Sequence, residues 1–319
     1  MDIRMAPMEG VTDAVLRRTH CRCFGGVDRY YIPFISPTQH HVLTPHDLRA
    51  VAPEHNQGIH AVPQLLCKDA EHFLWAAGEL KTMGYDEVNL NIGCPSGTVT
   101  AKGKGSGMLR DLAHLREMLD EVFLHIDMKV SVKTRIGFSS PEEWPEILAL
   151  LAAYPVSELT IHPRTRSAFY KGEIYREAFA QAAAMRLPLI YNGDLFTAKD
   201  CMELQKQYPG IPMMLGRGLI ANPALARELK GGSGVSAAEL KHFLDMLYDA
   251  YRQIYPVQQA HSRMREIAKY VACCFDGAEK PLKAIRKSTP ETFEAAVDRL
   301  WERPLRDQPG YAMGTWLGV

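Results

Sequence analysis

The chain has 319 residues, 46% of them hydrophobic, and its 37 Lys+Arg balance 37 Asp+Glu, so the formal net charge is zero. This length supports a large buried core and exceeds the roughly 250 residues of a single α/β barrel, which points to one large domain plus an appendage. The charge balance excludes a polycationic chain and leaves any nucleic-acid binding to a local basic face.

Short β-rich runs alternate with longer helical patterns from the first residues onward. Strands are expected near 3–6, 29–35, 60–66, 87–91, 129–134, 158–162, 188–192 and 212–216, and helices near 13–24, 70–83, 109–123, 141–153, 175–185 and 198–207. Strand-then-helix alternation repeated in this way predicts a closed parallel (β/α)8 TIM barrel. The second unit is the weakest, because Pro33 and Pro37 interrupt it and no clear helix follows before His60. An open doubly wound sheet would carry a glycine fingerprint after its first strand, and this chain reads Ala6-Pro7-Met8-Glu9-Gly10 there. After Gly231-Gly232-Ser233-Gly234 the strand signals stop, and helices are expected near 237–255, 257–275, 281–287 and 290–301. The expected organisation is a catalytic barrel over 1–232 and a smaller all-helical domain with a C-terminal tail over 233–319.

The opening Met1-Asp2-Ile3-Arg4 has no charged leader followed by an apolar core, and the longest apolar run, near 147–154, is far short of the ~20 residues of a membrane span. A soluble cytoplasmic protein without membrane contact is expected. The seven cysteines are odd in number and lack C-x-x-C spacing, so neither a disulfide framework nor a metal site is expected.

In an α/β barrel the site lies at the carboxyl ends of the strands, and here those ends are polar. They carry Pro7, Met8 and Glu9 after the first strand, Gln64 in the third, Asn91 and Cys94 after the fourth, and Lys133 and Arg135 after the fifth. His162 and Arg164 end the sixth, Asn192, Gly193 and Asp194 the seventh, and Gly216 and Arg217 the eighth. The last two groups match the phosphate pocket of many barrels: glycine lets backbone N–H groups approach a phosphate, Arg217 adds charge, and a helix beginning near Asn222-Pro223 would face it. An inward Lys133 needs an electron-rich partner, which a flavin ring provides. Gln64 could read a heterocycle edge or pair within a barrel layer. Cys94 could donate a proton or simply fill space as a small hydrophobe. Basic residues Arg263, Arg265, Lys269, Lys280, Lys283, Arg286 and Lys287 form either a solvated face or a phosphate-backbone surface.

Taken in order, Ala6-Pro7-Met8-Glu9-Gly10-Val11-Thr12-Asp13, Asn89-Leu90-Asn91-Ile92-Gly93-Cys94-Pro95, Val130-Ser131-Val132-Lys133-Thr134-Arg135-Ile136-Gly137, His162-Pro163-Arg164-Thr165-Arg166, Asn192-Gly193-Asp194 and Gly216-Arg217-Gly218 resemble the tRNA-dihydrouridine synthase family. The resemblance implies a flavoprotein that reduces the 5,6 double bond of uridine in tRNA, with FMN recharged by NADPH. It implies that Pro7, Met8, Glu9, Gln64, Lys133, His162, Asn192, Gly193, Asp194, Gly216 and Arg217 hold FMN. Asn91, Arg135 and Arg164 would contact substrate, Cys94 would be the general acid, and no stable protein partner is expected. The chain departs from the family pattern at Ile32-Pro33-Phe34-Ile35, where an acidic element is usual, and at Pro163. An FMN-dependent reductase or dehydrogenase of a free pyrimidine or another small unsaturated carbonyl compound is the second reading, and a non-catalytic RNA- or flavin-binding protein the third.

Overall fold

The structure is a computed structural model that describes residues 1–311; the end of the expected C-terminal tail, 312–319, lies outside the described residues. Eight parallel strands close into a barrel in sequence order: β1 (Ile3–Met5), β2 (Arg29–Ile35), β3 (Ala61–Leu65), β4 (Glu87–Ile92), β5 (Lys129–Gly137), β6 (Leu159–Thr165), β7 (Leu189–Asn192) and β8 (Met213–Leu215). Around it lie α1 (Ala14–Cys23), α2 (Pro45–Val51), α3 (Ala70–Thr82), α4 (Gly97–Thr100), α5 (Leu112–His125), α6 (Trp144–Ala152), α7 (Arg176–Ala184), α8 (Ala198–Gln207), α9 (Arg217–Ala221) and α10 (Leu225–Leu229). The TIM-barrel expectation therefore holds.

Strand periodicity separates two environments. Residues such as Val88, Leu90, Ile92, Val130, Val132, Leu159 and Ile161 point outward and bury against the helices in one continuous core. Alternate residues fill the lumen, where Ala6, Tyr31, Val62, Ile190 and Met214 form a separate apolar cluster. Their lumen neighbours across β3, β4 and β5 are polar: Gln64 pairs in register with Asn89, and Asn89 with Ser131.

Three local features differ from the sequence expectation. Between β2 and β3 the chain does form a helix, α2, begun by a reciprocal cap in which Thr44 Oγ1 accepts from Asp47 N and Asp47 Oδ2 accepts from Thr44 N. The helix expected from 109 begins only at Leu112, because Asp111 caps it and Gly105–Arg110 forms a 3-10 turn. Strands β5 and β6 run on to Gly137 and Thr165, where Arg135 Nη1 donates to Thr165 O at 2.7 Å and locks the two ends together.

The tail comprises α11 (Ala237–Ile254), α12 (Val257–Val271), α13 (Glu279–Lys287) and α14 (Phe293–Trp301). It docks on the barrel through an edge-on contact of Phe24 and Phe243, 5.2 Å between centroids, and through the α1 cap. Asp13 Oδ1 caps Leu16 N and accepts from Tyr251 Oη at 3.0 Å, while Oδ2 accepts from Arg263 Nη1 at 2.7 Å. Among the described residues no helix is long and apolar enough to cross a membrane.

Candidate active site

The carboxyl ends of the strands surround a cavity of about 830 Å³, within the range of roughly 300–1,000 Å³ typical of small-molecule and cofactor sites. Pro7, Met8, Glu9, Gln64, Asn91, Cys94, Lys133, Arg135, His162, Asn192, Gly193, Asp194, Gly216 and Arg217 all line it. Of the expected site residues only Arg164 does not.

The β1 turn is held by Thr12, whose Oγ1 accepts from Met8 N at 2.8 Å. Met8 then lies across Gly216, where an added Cβ would stand 3.3 Å from its sulfur. Glu9 sits at the rim, its carboxyl raised by burial against the opposing effect of His46. On the next strands, Gln64 Oε1 accepts from Asn91 Nδ2 at 2.8 Å. Asn91 Oδ1 accepts from Gly93 N at 3.0 Å and Cys94 N at 2.9 Å, which shapes the Gly-Cys-Pro turn. Ser106 fixes the other side of Cys94 by bonding its carbonyl through Oγ (2.7 Å) and N (3.1 Å). Gly105, at φ +57°, passes so near that a Cβ would fall 2.9 Å from Cys94 Cβ. Burial pushes the Cys94 thiol up, although the Ser96 backbone N–H and the Arg135 and Lys133 charges oppose this. The group at the cavity wall is thus a neutral thiol at pH 7, a form that can donate a proton.

Lys133 reaches the cavity from β5 and makes no hydrogen bond or ion pair among the described residues. Burial, with Arg135 nearby, lowers its ammonium to about 7. His162 is held well below its ordinary value by burial and then by Arg135, Lys133, Arg164 and Arg217, so it is a neutral imidazole. Arg135 and Arg217 supply the lasting positive charge here, and an anionic ligand would favour the charged form of Lys133.

Arg164 and Arg135, the arginines expected to contact substrate, both bond to neighbouring parts of the protein, and Arg135 also lines the cavity. Arg164 is 1% exposed, its guanidinium gripping Asp194 in a two-pronged pair (2.7 and 2.5 Å) and Gly172 O (2.8 Å). Arg135, 2% exposed, donates to Gly93 O, Thr165 O and Phe169 O and lies 5.3 Å from the Tyr170 ring. Both arginines position loops and have few donors to spare. Asp194, at φ +44°, also accepts from Arg217 Nη2 at 3.0 Å, so its carboxylate is neutralised twice. Arg217 is further enclosed by the rings of Tyr170, Phe196 and Tyr311 at 5.0–5.3 Å. Asn192 Nδ2 donates to Met214 O, and Gly193, at φ +149°, leaves little space for a Cβ, which would meet His162 Cδ2 at 3.2 Å.

The helix facing Gly216 is α9, starting at Arg217, and not one starting at Asn222, whose side chain is buried and caps Ala224 N. Phe34, Phe169, Tyr170, Phe196, Glu266 and Tyr270 also line the cavity and carry no signal in the sequence. The last two come from α12, so the helical tail forms part of the wall. Among the basic tail residues, Arg263 is tied to Asp13 and Lys269 to Glu266. Lys280, Lys283 and Lys287 stand exposed along one side of α13, opposite buried Pro281, Leu282 and Ile285.

A flavin-sized anionic cofactor fits these observations: a buried lysine with no hydrogen bond or ion pair among the described residues, two glycines where a Cβ would crowd its neighbours, and the Arg135 and Arg217 guanidinium groups meet in one cavity. Among known proteins, residues 4–300 match the model of the dihydrouridine synthase family. The chain is 27% identical over 304 residues to a probable tRNA-dihydrouridine synthase of Rhodobacter capsulatus, covering 92% of this chain and 93% of that protein. It is 29% identical over 288 residues to a tRNA-dihydrouridine(16) synthase of Aquipseudomonas alcaligenes, covering 83% and 89%. Among solved structures, morphinone reductase shares the barrel fold with a TM-score of 0.51 at 14% identity, over 74% of this chain and 87% of that one. The match along almost the whole described length, with the motif residues gathered at one cavity, makes this chain a member of the dihydrouridine synthase family.

Proposed function

We propose that the protein reduces the 5,6 double bond of uridines in tRNA to dihydrouridine, using FMN recharged by NADPH. The observation that carries this reading is the neutral Cys94 thiol facing the same cavity as the unpaired Lys133 ammonium. FMN would be held by Gly193, Gly216, Arg217 and His162 around its phosphate, by Lys133 and Gln64 along its ring, and by Pro7 and Met8 packed beside it. Glu9 borders that site at the rim. Asn192 and Asp194 act by shaping the loop around Gly193.

When bound, FMN in its reduced form would supply the hydride that C6 of the uracil receives. Cys94 gives its proton to C5, where the developing enolate needs it, and the resulting thiolate recovers a proton from solvent. Asn91 keeps one side-chain N–H free of the bonds described above and can offer it to a uracil carbonyl. Arg135 supports this arrangement by holding Gly93 O, and Arg164 by holding Asp194. The barrel, 1–232, would do the chemistry, and the helical region, 233–319, would grip RNA together with the barrel rim. A reaction on tRNA with NADPH as reductant belongs in the cytoplasm.

The decisive experiment mixes NADPH-reduced, flavin-loaded protein with tRNA or with free uridine, follows flavin reoxidation, and analyses the RNA for dihydrouridine. Reoxidation by tRNA with dihydrouridine formed is expected. Reoxidation by the free pyrimidine alone would reassign the substrate to a small molecule. Cys94→Ser should lose about 10²-fold or more of the reoxidation rate while keeping its flavin. An unimpaired variant would remove Cys94 from the proton-transfer step.

A further inference from the structure

We infer that Asn89 and Ser131, neither of which reaches the cavity, are positioning residues: Ser131 holds Asn89 and Asn89 holds Gln64, which sets the orientation of Asn91 and, through it, of Cys94. This rests on the proposed roles of Asn91 and Cys94.

The side chains form a column through the barrel lumen. Asn89 Nδ2 donates to Ser131 Oγ at 3.0 Å, Gln64 Nε2 donates to Asn89 Oδ1 at 2.7 Å, and Asn91 Nδ2 donates to Gln64 Oε1 at 2.8 Å. At the upper end, Asn91 Oδ1 receives the backbone N–H groups of Gly93 and Cys94. Asn89 and Gln64 are 0% exposed and Ser131 1%. No water competes for these bonds, so each amide must match its neighbour.

The polarity of the column follows from its upper end. Two N–H donors at the Gly93-Cys94 turn require the Asn91 oxygen, which turns its nitrogen toward Gln64. Gln64 must then present oxygen to Asn91 and nitrogen to Asn89, and Asn89 must present nitrogen to Ser131. At the foot, Ser131 Oγ accepts from Asn89, and in the layer below the Glu87 carboxylate is paired with Arg29 at 3.0 Å. A flip of any one amide sets N–H against N–H at one junction and oxygen against oxygen at the next. The matched column thereby holds the Asn91 amide with its oxygen toward the turn that carries the thiol.

Other barrels fill this layer with Val, Ile and Leu, and the opposite side of this lumen is indeed apolar. A continuous chain of amide hydrogen bonds across β3 and β4, anchored on Ser131 of β5 and ending at the turn that carries Cys94, is what a positioning role requires.

The test uses flavin-loaded Asn89→Leu and Ser131→Ala, with Ser131→Thr as the conservative rescue that keeps the hydroxyl. Three readouts are compared: flavin reduction by NADPH, flavin reoxidation by tRNA, and the rate of iodoacetamide alkylation at the Cys94-containing peptide as a function of pH. Asn89→Leu and Ser131→Ala should slow reoxidation by at least about tenfold, within the range of a lost catalytic orientation, with flavin reduction within about twofold of the parent. Their alkylation profile should move to lower pH as the released turn exposes the thiol and relieves the burial that raises it. Ser131→Thr should match the parent in all three. Unchanged alkylation and reoxidation in both disrupting variants would overturn the inference, as would an equal loss in both half-reactions with no rescue by threonine, which marks a general structural defect. If Asn89→Leu fails to fold, Ser131→Ala, which deletes a single oxygen, decides alone. If the parent itself is not reoxidised by tRNA, the proposed function fails, and the alkylation profiles still decide the column.

Discussion

Lys133 shows how one residue can link stability, pH and ligand binding. Its ammonium titrates at about 7 in the folded chain, against an ordinary value of 10.5. Between these values the unfolded chain binds more protons than the folded one, so stability of the flavin-free protein must rise with pH across the window from about 7 to about 10.5. Lys133→Met should flatten that rise in urea midpoints measured at pH 7 and pH 9.5; an equal slope in both proteins would place the titration elsewhere. An anionic flavin edge favours the charged lysine, so FMN binding near pH 8.5 should take up protons, readable from binding heats in buffers of different ionisation enthalpy. The composition of this site was legible in the sequence because its polar residues cluster at or near the carboxyl ends of successive strands. The roles of the arginines were less so. Whether Arg164 meets a substrate or a carboxylate depends on Asp194, thirty positions later, and on a loop carbonyl at Gly172. Tyr170 and Tyr270 gave no signal either, because an aromatic residue in a loop or on a helix looks the same whether it faces a cavity or a core.

At the scale of elements, strands were easier to place than their connections. Runs such as Glu87-Val88-Asn89-Leu90-Asn91-Ile92 alternate between lumen and helix layer, and that period survives folding unchanged. Helix α2 has only seven residues, too few for a periodic pattern, and its signal lay in the cap Thr44-Pro45-His46-Asp47. The helix end also depends on long-range bonds: the buried Arg17 of α1 donates to Ala50 O at 3.0 Å and to Asn56 Oδ1 at 2.6 Å. Thr44→Ala removes the Oγ1 acceptor for Asp47 N, and should cost about 1 kcal/mol, seen as a lowered urea midpoint with an unchanged slope. Because α2 neighbours the cavity rim through His46 and Glu9, the same variant should leave the flavin spectrum intact. A bleached protein would mean that α2 supports the cofactor directly.

For the molecule as a whole, a formal net charge of zero gives no long-range pull toward RNA, so affinity must come from where charge is placed. Asp13 joins the α1 cap to Tyr251 and Arg263, and Glu266 and Tyr270 enter the cavity wall, so α12 is fixed relative to the active site. Helix α13 packs against α12 through its apolar side and leaves Lys280, Lys283 and Lys287 in solvent. A rigid mount matters here: phosphates bound along α13 would set how far a flipped uridine lies from Cys94, which loose lysines on a mobile tail would not do. Replacing all three lysines by alanine should weaken tRNA binding at every salt concentration and lower the slope of log K against log salt by up to about 0.7–0.9 for each phosphate no longer neutralised. Flavin reduction by NADPH should stay unchanged, since these side chains lie on a helix that contributes nothing to the cavity lining. An unchanged salt slope would show that α13 is only a solvated face. The RNA would then have to be gripped elsewhere, and the exposed Arg18, Arg22 and Arg49 that line a second groove beside α1 and α2 would be the next to replace.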